Sequence, residues 1–283
     1  MRFSLILVVA AGLVLGLVKC GRDPLQFIFH PSTDKRFLES QALTAPSAFA
    51  INPEEFSFAL FADIHVMKDH SSLVANFAKD ILPKGIRFFV VLGDLTDDGT
   101  TDEFESTKSQ LDATGIPYYV TIGNHDLYQS SEKGGWANFR KTFGPATYAV
   151  TLANTVRFVF LDTGSGEIGS EQFNWLQDQL STPVRYTFVA SHYGVFDGLV
   201  PKPWRLESVE ERYKLMGILT RYKVYAHVAG HLHAFHHSTI AGIEHFIVGS
   251  MYPQSLDYGK RGYLLFRYQG GKLTWEWQAL SMN

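Results

Sequence analysis

Cysteine is almost missing: the 283-residue chain holds one, Cys20. A lone thiol closes no internal disulfide and builds no thiolate cage, so a cystine framework and a cysteine-based zinc site are both excluded. Surplus charge is missing too. The 25 Lys and Arg stand against 28 Asp and Glu, a net charge of −3. That balance leaves no bulk basic face for nucleic acid. No internal repeat and no low-complexity stretch is found. A long apolar run occurs only at residues 3–18, where Ser4 is the sole polar side chain. It follows a short basic start, Met1-Arg2, and is too short for a convincing spanning helix, so it reads as a secretory signal.

Leu17-Val18-Lys19-Cys20 resembles a bacterial lipoprotein box, in which the cysteine is lipidated and becomes the mature N-terminus. Lys19 stands where such boxes carry a small residue, so an ordinary signal peptide with an incidental cysteine is the other reading. The expected organisation is a leader over residues 1–20, a proline-bearing tether over 21–53 and one domain over 54–283. The expected location is exported, periplasmic or cell-surface, with a membrane contact only through a lipid on Cys20.

What the chain does have is a set of apolar strand-like runs that each end in chemistry. Residues 56–62 end in Asp63-Ile64-His65, 88–92 in Gly93-Asp94, and 118–122 in Gly123-Asn124-His125-Asp126. Residues 186–190 end in Ser191-His192, and 224–229 in Gly230-His231-Leu232-His233. Apolar β-rich runs of this length read as interior strands covered on both faces, and such sheets place ligands past the strands' carboxyl ends. Helical patterns alternate with them. Leu73, Phe77 and Ile81 share a helix face, and Thr100 with Glu103 is a capping-box signature. Trp136, Phe139 and Phe143 continue to a stop at Gly144-Pro145, Ser170 reads as the cap of a further helix, and residues 209–222 as the last. Residues 147–152 and 156–161 read as a hairpin, and beyond His233 the chain reads as all-β, with strands over 243–248, 263–268 and 273–278.

Asp63 and His65, like His231 and His233, are two residues apart, which on an extended segment sets them on one face. With Asp94, Asn124 and His192 they give nitrogen and oxygen donors without thiolate, a set for first-row divalent or ferric ions. Seven donors exceed one tetrahedral zinc and suit two ions sharing Asp94. His30, His70, His227, His236, His237 and His245 match no motif and are read as packed or solvated. Gly164-Ser165-Gly166 lacks the spacing of a nucleophile elbow and is read as a loop.

The ordered set Asp63-x-His65, Gly93-Asp94, Gly123-Asn124-His125-Asp126, His192 and Gly230-His231-x-His233 resembles the calcineurin-like metallophosphoesterase family. Gly93 to Gly99, with Glu103-Phe104, is further similar to the branch containing class III cyclic-nucleotide phosphodiesterases. The resemblance implies an α/β (α+β) fold, a four-layer αββα sandwich of two mixed β-sheets flanked by helices. It implies two metal ions, of iron, manganese or zinc. One takes Asp63, His65, Asp94 and His233; the other takes Asp94, Asn124, His192 and His231. Such a pair acidifies a bridging water and disperses charge on a phosphoryl group.

His125 adjoins Asn124 without a metal assignment, so it is the candidate to protonate the leaving group, with Asp126 as the candidate to hold its ring or else to cap the loop. The expected activity is hydrolysis of a small-molecule phosphoester by a metal-bridging hydroxide, as a phosphodiesterase. The alternatives are an exported phosphomonoesterase of acid-phosphatase type and a non-catalytic surface binding protein. Phe196, Pro201, Pro203 and Trp204, after His192, are candidates for one wall of the pocket, or else pack their own loop. Tyr128 and Phe235 flank the motifs and carry the same two readings.

Overall fold

The computed structural model describes residues 30–128, 134–196, 205–252 and 261–280. The leader, Cys20, Pro201, Pro203 and Trp204 lie outside the described residues. In chain order the elements begin with α1 (Thr33–Gln41), β1 (Glu55–Phe61), α2 (Val74–Ile81), β2 (Ile86–Leu92), α3 (Thr101–Asp112) and β3 (Tyr118–Thr121). They continue with α4 (Gly135–Phe143), β4 (Tyr148–Leu152), β5 (Val156–Phe160), α5 (Ser170–Leu180) and β6 (Tyr186–Ala190). Last come α6 (Val209–Arg221), β7 (Ala226–Ala229), β8 (His236–Ile240), β9 (Ile243–Ile247), β10 (Gly262–Gln269) and β11 (Lys272–Ala279).

The strands form a five-stranded sheet, β11-β10-β1-β2-β3, and a six-stranded sheet, β4-β5-β6-β7-β9-β8. Side chains alternate across each strand, so each central strand feeds two cores. Phe58, Leu60, Phe88 and Val90 face Phe158, Phe188 and Val228 of the opposite sheet. Their neighbours Ala59, Phe61, Phe89 and Val91 face Phe77, Phe104 and Phe139 from α2, α3 and α4. On the far side Val159 and Val189 pack under Phe173 and Leu176 of α5 and Leu215 of α6. The result is the expected four layers of helix, sheet, sheet and helix. Phe58 is the pin between the sheets. Its ring stacks on Phe88 and Phe266, each at 4.9 Å, and takes the edges of Phe158 and Phe188 at 5.5 and 5.7 Å. Offset stacks and edge contacts of this kind favour one arrangement beyond simple burial.

β1, β2 and β3 are parallel, as are β5, β6, β7 and β9, so within each sheet their carboxyl ends collect on one edge. α3 opens with the expected box: Thr100 accepts from the Glu103 amide and Glu103 accepts from the Thr100 amide.

Three expectations change. Ser170 is not the cap of α5: the cap residue is Gly169, and Asp34 of α1 accepts from the Glu171 amide at 3.2 Å. A carboxylate from another helix satisfies the free donors and suits the positive end of α5. The expected tether is docked where it is described. Phe37 of α1 packs on Trp175 at 6.2 Å, and Glu39 accepts from Trp136 and Arg140 at 2.6 Å each. Arg36, fully buried, grips Asp162 with two bonds of 2.7 and 2.9 Å. Finally, β8 lies where no strand was expected between His233 and residue 243, because its half-buried His-His-Ser-Thr-Ile sequence carries no apolar run.

Candidate functional site

The strand ends bring the sequence candidates together. His65 Nε2 lies 3.3 Å from His233 Nε2 and 3.5 Å from Asp94 Oδ2. His233 Nε2 is 3.7 Å from Asp63 Oδ1. On the other side, His192 Nε2 lies 3.0 Å from Asn124 Oδ1, 3.1 Å from His231 Nδ1 and 3.3 Å from the same Asp94 Oδ2. Two groups of donor atoms share Asp94: Asp63, His65, Asp94 and His233, and Asp94, His192 and His231; a third set among the described residues, His65, Asp97 and His125, adjoins the first through His65.

The local backbone differs from the extended segment expected for the paired motifs. Asp63 and His65 have φ of 55° and 46°, and His231 and His233 of 69° and 51°; Asp94 has 49°. Side chains two residues apart therefore converge by left-handed bends, not by the pleat. Such angles are uncommon outside glycine and cost on the order of 1–3 kcal/mol each, so their concentration here marks a site the fold over-determines. Two glycines make room. A Cβ on Gly93, at φ 82°, would meet His192 Nδ1 at 2.6 Å, and one on Gly123 would meet Asp94 Oδ1 at 2.2 Å.

Hydrogen bonds fix which atoms face inward. His192 Nδ1 donates to the Leu92 carbonyl at 2.8 Å, and His65 Nδ1 donates to Asp97 Oδ1 at 3.3 Å. Carbonyl and carboxylate oxygens only accept, so Nε2 of each ring presents a lone pair. Asn124 donates through Nδ2 to the Tyr128 hydroxyl at 3.2 Å, which turns its Oδ1 inward. Lone pairs thus confront lone pairs around Asp94, and a cation is the group that satisfies them all. The same demand for positive charge shows in the electrostatics, where a proton on His192 Nε2 meets it until a metal ion takes its place. Burial works against a charge on His192, yet the Asp94 and Asp63 carboxylates lift its pKa to about 9. Burial pushes Asp63 up to about 7 and His233 down to about 3. Asp94 goes well below the carboxylate range: burial opposes this, and His192 and His125 outweigh it. The residues present fit bound metal ions.

Of the two roles expected for Asp126, its hydrogen bonds match the loop cap and not the hold on His125. Its Oδ1 accepts from the Leu95 and Thr96 amides and the Thr96 hydroxyl, each at 3.0 Å, and its Oδ2 from the Gly123 amide at 2.9 Å. All four donors come from the two loops, so Asp126 ties the loop after β2 to the loop after β3. His125 is held by Asp97 instead: its Nδ1 donates to the Asp97 carbonyl at 2.7 Å. Burial lowers its pKa to about 4. Asp97 thus fixes two site histidines, a role the sequence reading missed; its only signal was the spacing Asp94-x-x-Asp97. Two aromatics were missed as well. Tyr193 stacks on His231 at 3.9 Å, and Tyr252 packs on His65 at 4.6 Å. Tyr128, flagged by position, packs on His125 at 4.2 Å.

Other candidates lie elsewhere. Phe235 stacks on Trp277 at 4.6 Å, and Phe196 turns its edge to His245 at 5.2 Å. His227 pairs with Ser191 at 2.9 Å and His237 with Glu244 at 2.5 Å, so both are structural partners as expected.

Comparison with known proteins gives the family. A 3′,5′-cyclic-nucleotide phosphodiesterase of Nostoc sp. is 25% identical over 195 residues, 62% of this chain and 71% of that protein. A probable cyclic nucleotide phosphodiesterase of Rhodococcus erythropolis is 26% identical over 233 residues, 77% of this chain and 76% of its own. Among solved structures, the purple acid phosphatase PPD1 of yellow lupin aligns with a TM-score of 0.68 at 16% identity, over 83% of this chain and 53% of that one. The profile described as calcineurin-like phosphoesterase matches residues 56–235, the span that carries the whole donor set. The chain therefore belongs to the calcineurin-like phosphoesterase family and is a metal-dependent phosphoric ester hydrolase.

Proposed function

We propose that the chain is a phosphodiesterase working with two metal ions, one in each donor group. The observation that carries this reading is Asp94 Oδ2, which lies 3.5 Å from His65 Nε2 and 3.3 Å from His192 Nε2. A carboxylate oxygen between two sets of inward lone pairs is placed to be shared. Asn124 joins the second set through Oδ1. Bound there, the ions would supply an activated water and neutralise charge on the phosphoryl oxygens. The protein's own part is positional. Asp97 fixes the His65 and His125 rings, and the Leu92 carbonyl fixes His192. His125 stands beside the donor set with Nδ1 engaged by the Asp97 carbonyl, so Nε2 is the nitrogen that would meet a substrate oxygen. The diesterase reading rests on the relatives named as cyclic-nucleotide phosphodiesterases.

The test is elemental analysis of protein purified without chelator, joined to turnover of bis(4-nitrophenyl) phosphate against 4-nitrophenyl phosphate. We expect about two ions per chain from the donor count, and preference for the diester. Near-zero metal that manganese, iron or zinc does not restore would overturn the dinuclear reading. Preference for the monoester would assign a phosphatase instead.

A further inference from the structure

A cavity of about 260 Å³ opens beside the second donor group, lined in part by Asn124, Tyr128, Tyr193, Ser165, Glu207 and His30. It abuts the site at two points. Tyr193 is the ring stacked on His231, and the Tyr128 hydroxyl is the one that accepts from Asn124. A phosphoryl group at the donor set would therefore direct one ester substituent into it. Its volume lies below the roughly 300–1,000 Å³ of pockets for drug-sized ligands, so it suits a small group. Its wall sets Leu127 beside an imidazole, hydroxyls and the exposed Glu207 carboxylate. A carboxylate there disfavours a second anionic group and favours hydroxyls.

The outer wall comes from outside the family span of residues 56–235. His30 belongs to the docked N-terminal segment, with its Nδ1 3.4 Å from Arg36 Nη1 and 3.5 Å from Ser165 Oγ. Arg36 is held in turn by Asp162, whose Oδ1 also accepts from the Gly164 amide at 3.1 Å. One buried ion pair thus fixes both His30 and the turn that carries Ser165.

We propose that the N-terminal segment completes the substrate site: His30, positioned by the Arg36–Asp162 pair, and Ser165 select a small hydroxylated alcohol portion of the ester. This rests on the phosphoesterase reading above. It is tested on the metal-loaded full chain by calorimetry with glycerol 1-phosphate and methyl phosphate, which share the phosphoryl group and differ in the alcohol. In the wild type, glycerol 1-phosphate should bind roughly tenfold more tightly. His30→Ala and Ser165→Ala should each cut that ratio by roughly three- to tenfold, the loss of one hydrogen bond. Arg36→Met should cut it as well, as a positioning residue's variant would. Removing a buried partner risks unfolding, so His30→Ala carries the decision. A wild-type ratio near one, or an unchanged ratio in His30→Ala, overturns the proposal while aryl diester turnover persists. No aryl ester turnover by the loaded wild type overturns the catalytic reading and this one together.

Discussion

Asp94→Ala should abolish turnover and reduce metal at both positions, whereas His65→Ala should deplete one. The reason is geometric: one Asp94 oxygen faces His65 and His192 together, and the other accepts from the His125 amide at 2.9 Å. Losing it removes the only carboxylate common to both donor groups. Charge stabilisation by bound metal is worth several kcal/mol, and each 1.36 kcal/mol is tenfold in rate, so a loss of at least ~10³-fold is expected. Asp94→Asn separates charge from shape. It keeps an oxygen for the His125 amide, so it should fold normally and still lose metal. Elemental analysis and kcat on the three variants check this. Near-normal metal in Asp94→Ala would refute the shared position.

His125→Ala should keep its metal and lower kcat by roughly 10²–10⁴-fold, the usual span for a proton-transfer group. The ring is well placed for such a role and poorly charged for it. The Asp97 carbonyl holds Nδ1, and burial keeps the pKa near 4. A bound phosphoryl anion beside Nε2 would favour the protonated ring, since an opposite charge nearby always does. If the ring then gives that proton to the departing oxygen, the loss should grow with the pKa of the leaving alcohol: small for nitrophenyl esters, large for alkyl esters. If it only holds a phosphoryl oxygen, all esters should suffer alike. Rates across a series of aryl and alkyl esters separate the two, and metal loss in the variant would instead make His125 part of the donor set.

The parts of the fold that were legible in the sequence are those where burial writes a pattern. Phe58, Leu60, Phe88 and Val90 fill one core and Phe61, Phe89 and Val91 the other, so β1 and β2 appear as unbroken apolar runs with polar ends. The donor residues were legible because they stand at those ends. What the sequence hid depends on contacts between distant residues. The Arg36–Asp162 pair spans 126 positions, and a single arginine in a proline-bearing stretch announces no partner. His30 looked like a bystander for the same reason. Asp126 stood out as the partner of His125 because it is next in the chain, and Asp97 did not. Only the strand spacing decides that four donors from two loops close on Asp126. The left-handed bends at Asp63, His65, Asp94, His231 and His233 were invisible as well: aspartate and histidine are enriched at positive φ, but only a few per cent of non-glycine residues adopt it, so residue type alone does not place them.

Each donor group straddles the two sheets. Asp63, His65, Asp94 and Asn124 follow strands of the five-stranded sheet, and His192, His231 and His233 follow strands of the six-stranded one. The ions would act as rivets through the seam, and a rivet binds only when both plates are in register. By linkage, a ligand of the folded state alone adds about 2.7 kcal/mol at a hundredfold excess over its Kd. For a domain of this size that is on the order of 5–10 °C in Tm. Calorimetry should show Tm climbing with free metal and falling with chelator, and a flat response would mean the sheets dock without that help. A metal-poor medium would then do more than slow the enzyme. It would shorten the life of the folded chain, so that metal supply governs how much of this protein persists as well as how fast it works.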